Sequence, residues 1–513
     1  MIPLMLVLRD VPLRRAFGWG WLSGMVFWLF SVSWLLRLAF TGTNFFVAAC
    51  AWIPLAAYCA LYTGAFAMVI AVIWQGIGPE KQWQNLWLLM VVPAVWVGLE
   101  YLRSTLFTGF SWNALGISQY RQTLVIQVAA IGGVYAVSAF IMIVNTALML
   151  MGLRFLTLLS RQRIRRVNVE LMVAIGAWCL CLWCYYGAVR VFNNMKAGTV
   201  VRIALIQPNI PQDKKWPEKF GNDPDAVAKE QKRIYDRISE QAELAVIAKP
   251  DLIILPETAM PSFARRDPAC AAFVSELACR GCPVLVGSMD FDIQVEKEIY
   301  YNSSMLLDSR GRLTGEYSKR HLVLFGEYLP FESVFPIIGK MAPLGYSCTP
   351  GTTSTVFRLE KPAITFSSLI CFEDTVASLA CESVRNGARL LVNQTNDAWF
   401  DGSAAAVQHM AHCVFRCVEN RVPAVRSANT GVTCFIDSLG RIVKVLEQDG
   451  SKTCFPGLAL DSVTVPPADM DLTFYTLNGD GAFALPCGIA AALVLLWAVM
   501  VIRSKDVESI PAG

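Results

Sequence analysis

Leu252-Ile253-Ile254-Leu255-Pro256-Glu257-Thr258 sets four apolar residues directly before a proline and a carboxylate. So short an apolar run reads as a strand, and its lack of polar alternation fits a sheet covered on both faces. Glu257 then stands at a strand end, where layered α/β proteins build their sites.

Working outward, similar runs recur at Val200–Ile206, Val284–Val286, Met305–Leu307, Ile364–Ile370, Leu390–Val392, Ala424–Arg426 and Val432–Ile436. Between them Asp223–Ala248 reads as a helix, with Asp223 or Asp225 near its start, and another runs from about Ala404 to Asn420. Strand alternating with helix argues for layered α/β rather than a β-sandwich. Two more of these places carry a reactive residue. One is Tyr317-Ser318-Lys319-Arg320-His321-Leu322, followed by Phe325-Gly326-Glu327-Tyr328. The other is Ser368-Leu369-Ile370-Cys371-Phe372-Glu373-Asp374, a cysteine ending an apolar strand with two acids behind it. Singly, each has an ordinary reading: a capping glutamate, a solvated lysine, a core cysteine, acids starting a helix.

Beyond this segment the text changes. The chain has 513 residues, of which 55% are hydrophobic and only 16% charged, with a mean hydropathy of +0.46, far from a soluble norm. The excess lies before about residue 190 and after about residue 482. A membrane span needs about 20 mostly apolar residues. Five candidates precede the globular part, roughly Phe17–Leu36, Ala48–Trp74, Leu86–Leu102, Ile126–Leu153 and Leu171–Val189, and Phe483–Ile502 follows it. The expected domains are therefore 1–192 (membrane), 198–465 (globular) and 481–503 (a last span). Met1–Leu8 is too short an apolar run for a cleavable signal.

Arginine clusters set the sidedness. Arg9, Arg14 and Arg15 precede the first span; Arg154, Arg161, Arg163, Arg165 and Arg166 separate the fourth from the fifth; Arg503 and Lys505 follow the last. Threading six spans puts all three clusters on one side, the cytoplasm, and the globular segment on the other. Glu100 and Arg103, at the outer end of the third span, call for a partner or a role. The loop Thr108-Gly109-Phe110-Ser111-Trp112 on that face could border a cleft through which lipid enters.

A net charge of +4 makes no case for nucleic-acid binding. Three histidines are too few for a His-rich metal site. Cys279 and Cys282 form a C-x-x-C without a second ligand pair, so no metal is expected. Whether any of the sixteen cysteines pair is open.

Taken together and in order, Pro-Glu after a strand, Lys319 with Gly-Glu seven and eight residues on, Cys371-aromatic-Glu and then Asn396-Asp397-Ala398-Trp399-Phe400 resemble the nitrilase superfamily. Spans on both sides narrow the resemblance to its membrane branch, the apolipoprotein N-acyltransferases. Further matches are Gln207-Pro208-Asn209-Ile210-Pro211-Gln212 with Trp216, Tyr301-Asn302, Gln408-His409, and Arg426-Ser427 before Asn429-Thr430-Gly431. Two departures stand out. The family usually begins with a further pair of spans, and Phe372 stands where relatives often carry tyrosine.

The resemblance implies a multi-pass α-helical membrane domain plus an α/β domain folded as an α-β-β-α sandwich. It implies a catalytic triad of Glu257, Lys319 and Cys371, supported by Glu327, Glu373 and the backbone of Phe372, with Trp216, Asn302, Asn396 and Trp399 around the substrate. It further implies ping-pong transfer of a fatty-acyl group from a phospholipid, through a cysteine thioester, to the α-amine of a diacylglyceryl-cysteine apolipoprotein. The enzyme would sit in a bacterial inner membrane with the triad on the periplasmic side, and no cofactor is implied. Apolar residues of the loop after the lysine (Phe325, Phe331, Val334, Phe335, Ile337, Ile338, Met341) would dip into lipid. The alternatives are a membrane-tethered amidase or nitrile hydrolase with the same triad, and a transporter with a non-catalytic sensor domain.

Overall fold

The computed structural model describes residues 1–41, 44–76, 82–161, 168–194, 198–215, 223–294, 297–329, 347–400 and 402–508. Trp216 and the apolar stretch from Phe331 to Met341 lie outside them. By its internal contacts the chain divides into two units, one of residues 1–39, 43–188 and 478–513, the other of residues 40–42 and 189–477.

The first unit is helical. Among the described residues six helices are long and apolar enough to cross a membrane: Leu13–Phe40, Phe45–Gln75, Gln84–Thr108, Ala129–Leu156, Val169–Asn194 and Phe474–Trp497. Lipid gives apolar helices no hydrophobic reason to associate, so close backbone packing must hold them. Gly20 and Gly24 supply it: a Cβ at Gly20 would fall 2.3 Å from the Ala67 Cβ, and one at Gly24 would fall 2.9 Å from the Thr63 Cβ. The charges at the end of the third span have partners. Arg103 donates to the carbonyls of Phe110 (2.7 Å) and Trp112 (2.9 Å) and lies 4.7 Å over the Trp28 ring. Glu100 accepts the Leu115 N–H at 2.6 Å. Both side chains thus tie the 108–115 loop to its helix.

The second unit is built on two six-stranded sheets, ordered β12-β1-β2-β3-β4-β5 and β11-β10-β9-β8-β7-β6. In the first, β1 (Thr199–Gln207), β2 (Leu252–Ile254) and β3 (Val284–Gln294) run parallel; β4 (Lys297–Leu307) and β5 (Leu313–Ser318) continue antiparallel, and β12 (Gly457–Val465) pairs with β1. In the second, β7 (Ile364–Ile370), β8 (Leu391–Thr395) and β9 (Ala424–Ala428) are parallel, flanked by β6 (Phe357–Leu359), β10 (Cys434–Ile436) and β11 (Ile442–Val445).

Side chains of β2 explain its apolar run. Leu252 and Ile254 face the other sheet, packing with Phe366, Ile370, Val392 and Val425. Ile253 and Leu255 face helices Pro224–Ile247 and Pro268–Cys279, packing with Ile234, Ile238, Val274 and Leu277. Helix Pro224–Ile247 starts where the sequence places it, the Asp223 carboxylate accepting the N–H groups of Asp225 and Ala226. Helices Ala377–Arg385 and Ala405–Asn420 cover the second sheet. The layers are therefore α-β-β-α. At one end of the sandwich polar side chains join the sheets: the Gln394 amide donates to the Leu255 carbonyl at 2.6 Å, and the Ser427 hydroxyl to that of Ile206 at 3.1 Å.

Candidate active site

The ends of the strands β2, β5, β7 and β8 converge at that end. Glu257 follows β2, Lys319 follows β5, Cys371 follows β7 and Asn396 follows β8. Glu257 is 6% exposed and Lys319 1%, while Cys371 keeps partial access to solvent.

Glu257 is pinned on both oxygens. Oε1 accepts from Asn302 Nδ2 at 2.7 Å and from Lys319 Nζ at 3.4 Å, and Oε2 accepts the Asn396 backbone N–H at 2.8 Å. Lys319 makes a shorter bond to Glu327 Oε1, at 2.9 Å. Asn302, on β4, donates to that same oxygen at 2.8 Å and so links the two carboxylates. Burial opposes a charge on Lys319, yet Glu327 and Glu257, with a contribution from Cys371, hold its ammonium well above the ordinary lysine range.

Cys371 begins a short 3-10 turn, Cys371–Thr375, with a φ of 52°. This left-handed backbone is unusual for a side-chain-bearing residue and turns the chain sharply off the strand. Burial pushes the thiol well above its ordinary range and Glu257 adds to that, while Lys319 and a hydrogen bond with Thr395 work the other way. The sulfur at rest is therefore a thiol, and a nucleophilic role would require a base to withdraw its proton.

Glu327 and Glu373 have different surroundings. Glu327 meets the ammonium, its other oxygen accepting the Val323 N–H at 2.9 Å. Glu373 accepts from the Tyr317 hydroxyl at 2.9 Å and from the backbone N–H groups of Arg320 (2.7 Å), His321 (3.1 Å) and Ile370 (2.8 Å). It ties the lysine loop to the cysteine turn. Burial raises its carboxyl, offset in part by those N–H groups and by Lys319. Phe372 stacks on His321 with ring centroids 5.9 Å apart. Asn396 also donates to Gln212 at 2.7 Å. Trp399 is half-buried in the turn Asp397–Phe400.

Several groups here escaped the sequence reading. Lys215 is buried with Nζ 2.6 Å from Thr258 Oγ1 and 3.4 Å from the Glu257 carbonyl. Burial draws its amine down to about 7, against the pull of Glu257. Asn393 and Thr395 sit in the fully buried strand Leu391-Val392-Asn393-Gln394-Thr395. Polar residues in a core strand are the signal that could have found them, since buried polar groups are held for their partners.

Known families match both the membrane part and the α/β part of the sequence. The model of the apolipoprotein N-acyltransferase N-terminal domain matches residues 1–147, and that of carbon-nitrogen hydrolases matches 202–465. An apolipoprotein N-acyltransferase from Geobacter metallireducens is 34% identical, covering 99% of this chain and 91% of that protein. One from Gloeobacter violaceus is 30% identical, covering 97% and 88%. Among solved structures, a nitrilase-superfamily amidase from Nesterenkonia AN1 aligns with 56% of this chain and 97% of its own, at 16% identity and a TM-score of 0.38. The chain belongs to the apolipoprotein N-acyltransferase family and is a multi-pass membrane acyltransferase carrying a carbon-nitrogen hydrolase domain.

Proposed function

We propose that this chain takes a fatty-acyl group from a phospholipid onto Cys371 and passes it to the N-terminal α-amine of a diacylglyceryl-cysteine apolipoprotein. The observation that carries the reading is the buried Glu257–Lys319 pair, 3.4 Å apart, whose charges both act on the Cys371 thiol, in a chain with six apolar helices among its described residues. In the first half-reaction Glu257 takes the thiol proton as Sγ attacks the acyl carbonyl carbon. The oxyanion is held by the Phe372 N–H and the Lys319 ammonium. As it collapses, the ester C–O bond breaks and the proton on Glu257 goes to the leaving lysophospholipid oxygen. In the second, Glu257 accepts a proton from the attacking amine, an amide bond forms, the C–S bond breaks, and the proton returns to sulfur.

Glu327 keeps Lys319 charged, and Asn302 and Asn396 aim Glu257. Trp216 and Trp399 serve the acyl chain or the acceptor. The spans support the choice of lipid substrates, since exposing a chain to water costs about 0.8 kcal/mol per CH₂ and a membrane-embedded enzyme avoids full extraction. The arginine clusters support an inner-membrane setting with the site on the periplasmic side.

The test is intact-mass analysis of the full-length protein after incubation with phospholipid. A fatty-acyl increment that hydroxylamine removes, that Cys371→Ala abolishes and that a diacylated lipopeptide discharges is expected. No increment on the unaltered protein would end the proposal.

A further inference from the structure

The steps above leave unused a second set of buried charges around the nucleophile's backbone. His409 lies in helix Ala405–Asn420, Asp374 in the Cys371 turn, Asp397 just past β8 and Arg426 in β9. They are 3%, 0%, 5% and 0% exposed. Nδ1 of His409 is 2.9 Å from Asp397 Oδ1. Its Nε2 faces Asp374 Oδ1 at 3.0 Å and the Cys371 carbonyl oxygen at 3.1 Å. Arg426 closes the ring, 3.0 Å from Asp374 Oδ2 and 3.0 Å from Asp397 Oδ2.

The partners dictate the protonation of the imidazole. Carboxylate and carbonyl oxygens only accept, so both ring nitrogens must donate, and the ring is an imidazolium. Two cations then face two carboxylates. Electrostatics agrees: burial and Arg426 oppose the charge, but Asp374 and Asp397 outweigh them and raise His409 to about 9. The same carbonyl takes a second bond, from Asn393 Nδ2 at 3.1 Å. Asn393 is itself oriented, its Oδ1 accepting from Arg426.

We propose that His409 is a positioning residue of the acyl-transfer site, clamping the Cys371 carbonyl together with Asn393. The clamp does two things. It holds the left-handed backbone at Cys371 that turns the sulfur out of the strand. It also draws electron density toward that carbonyl oxygen. The carbonyl and the Phe372 N–H are two ends of one conjugated peptide, so the N–H becomes a stronger donor to an oxyanion. A neutral His409 would lose one of its two donors and leave a surplus negative charge near the sulfur.

The inference rests on the acyl-transfer reading, and the experiment separates the two. Full-length protein in detergent is mixed with phospholipid, and the rate of acyl-enzyme formation is followed by mass. In parallel, the rate of Cys371 alkylation by iodoacetamide is followed; this reaction develops no oxyanion. His409→Leu is expected to slow acylation by about tenfold or more, and by clearly more than it slows alkylation, since only acylation develops the oxyanion that the Phe372 N–H would hold. His409→Gln, which can still donate to the carbonyl, is expected to recover part of the rate. Asn393→Ser, which withdraws the other donor, is read the same way should His409→Leu fail to fold. Acylation at the unaltered rate in His409→Leu, or in Asn393→Ser where that variant stands in, overturns the clamp. So does a parallel loss of acylation, alkylation and unfolding midpoint that His409→Gln leaves unrepaired, since that marks a merely structural role. An unaltered protein that gains no acyl mass defeats the acyl-transfer reading itself.

Discussion

Glu327 Oε1 lies 2.9 Å from Lys319 Nζ, nearer than the 3.4 Å between the same ammonium and Glu257 Oε1. The division of labour follows from this. In the proposed reaction an ammonium matched mainly by Glu327 stays charged while the proton on Glu257 comes and goes. Asn302 donates to both carboxylates and keeps their spacing. A carboxylate that must serve as base cannot also be the sole counterion of the cation beside it.

Replacing Glu327 with glutamine tests that division. The ammonium loses its closer partner, so its pKa falls from the raised position it now holds. Activity requiring a charged Lys319 should then fail at lower pH than in the unaltered protein. Acyl-enzyme formation at neutral pH should drop by about 10²-fold, the scale of losing one oxyanion partner. A pH–rate profile with an unmoved alkaline limb contradicts the assignment.

Glu373→Gln should act on the scaffold. An amide NH₂ placed among the donors from Tyr317, Arg320, His321 and Ile370 leaves at least one unmatched. Each buried group so stranded costs about 1–3 kcal/mol. We expect a lower unfolding midpoint and faster hydrogen exchange at the Arg320 and His321 amides. Exchange at the unaltered rate would show that the carboxylate is not the brace.

Gly287→Ala probes the placement of Glu257 without touching it. An added Cβ would fall 2.3 Å from the Pro256 carbonyl oxygen and 2.8 Å from the Glu257 Cα, so the turn bearing the carboxylate must move. A misplacement of about 1 Å in such a site costs about 10² in rate. Acyl-enzyme formation should fall by that order, with the overall secondary structure by circular dichroism retained.

Stability should carry two opposed pH signatures. His409 binds its proton more tightly folded than unfolded, at about 9 against 6.5. Its contribution is full below pH 6.5 and is lost as pH rises toward 9. Lys215 is the reverse, drawn down to about 7 from 10.5, so the unfolded chain binds more protons and this contribution favours the fold increasingly above pH 7. Lys215→Met should therefore make the unfolding midpoint fall more steeply between pH 7 and 9, and His409→Gln should reverse the trend. Parallel curves for all three proteins would refute both assignments.

The six apolar helices and all six parallel strands of the described residues were legible because each is written in contiguous residues. Apolar length makes a span, and an unbroken apolar run makes a strand buried on both faces. The strands β5, β6, β11 and β12 were not, since Leu313-Thr314-Gly315-Glu316-Tyr317-Ser318 and its kind are short or half-exposed and read like loops. Helix Pro268–Cys279 was also passed over, although Asp267 caps it. Its twelve residues sit between strands without the dense charge that marks Pro224–Ile247.

Sequence alone determined where two buried strands end, and so put Glu257 and Cys371 at candidate positions, while Lys319 stood out only through its spacing to Gly326-Glu327 and the resemblance that spacing carries. Apolar patterning and proline act locally, and a strand end is a local event. Tertiary structure decided what those residues meet. Asn302 reaches Glu257 across 45 positions of chain, Asn396 across 139, and His409 reaches the Cys371 carbonyl across 38. Such pairings depend on strand order and on which side chain fills a given buried space. A hydrogen bond leaves no periodic trace in the residues between its ends.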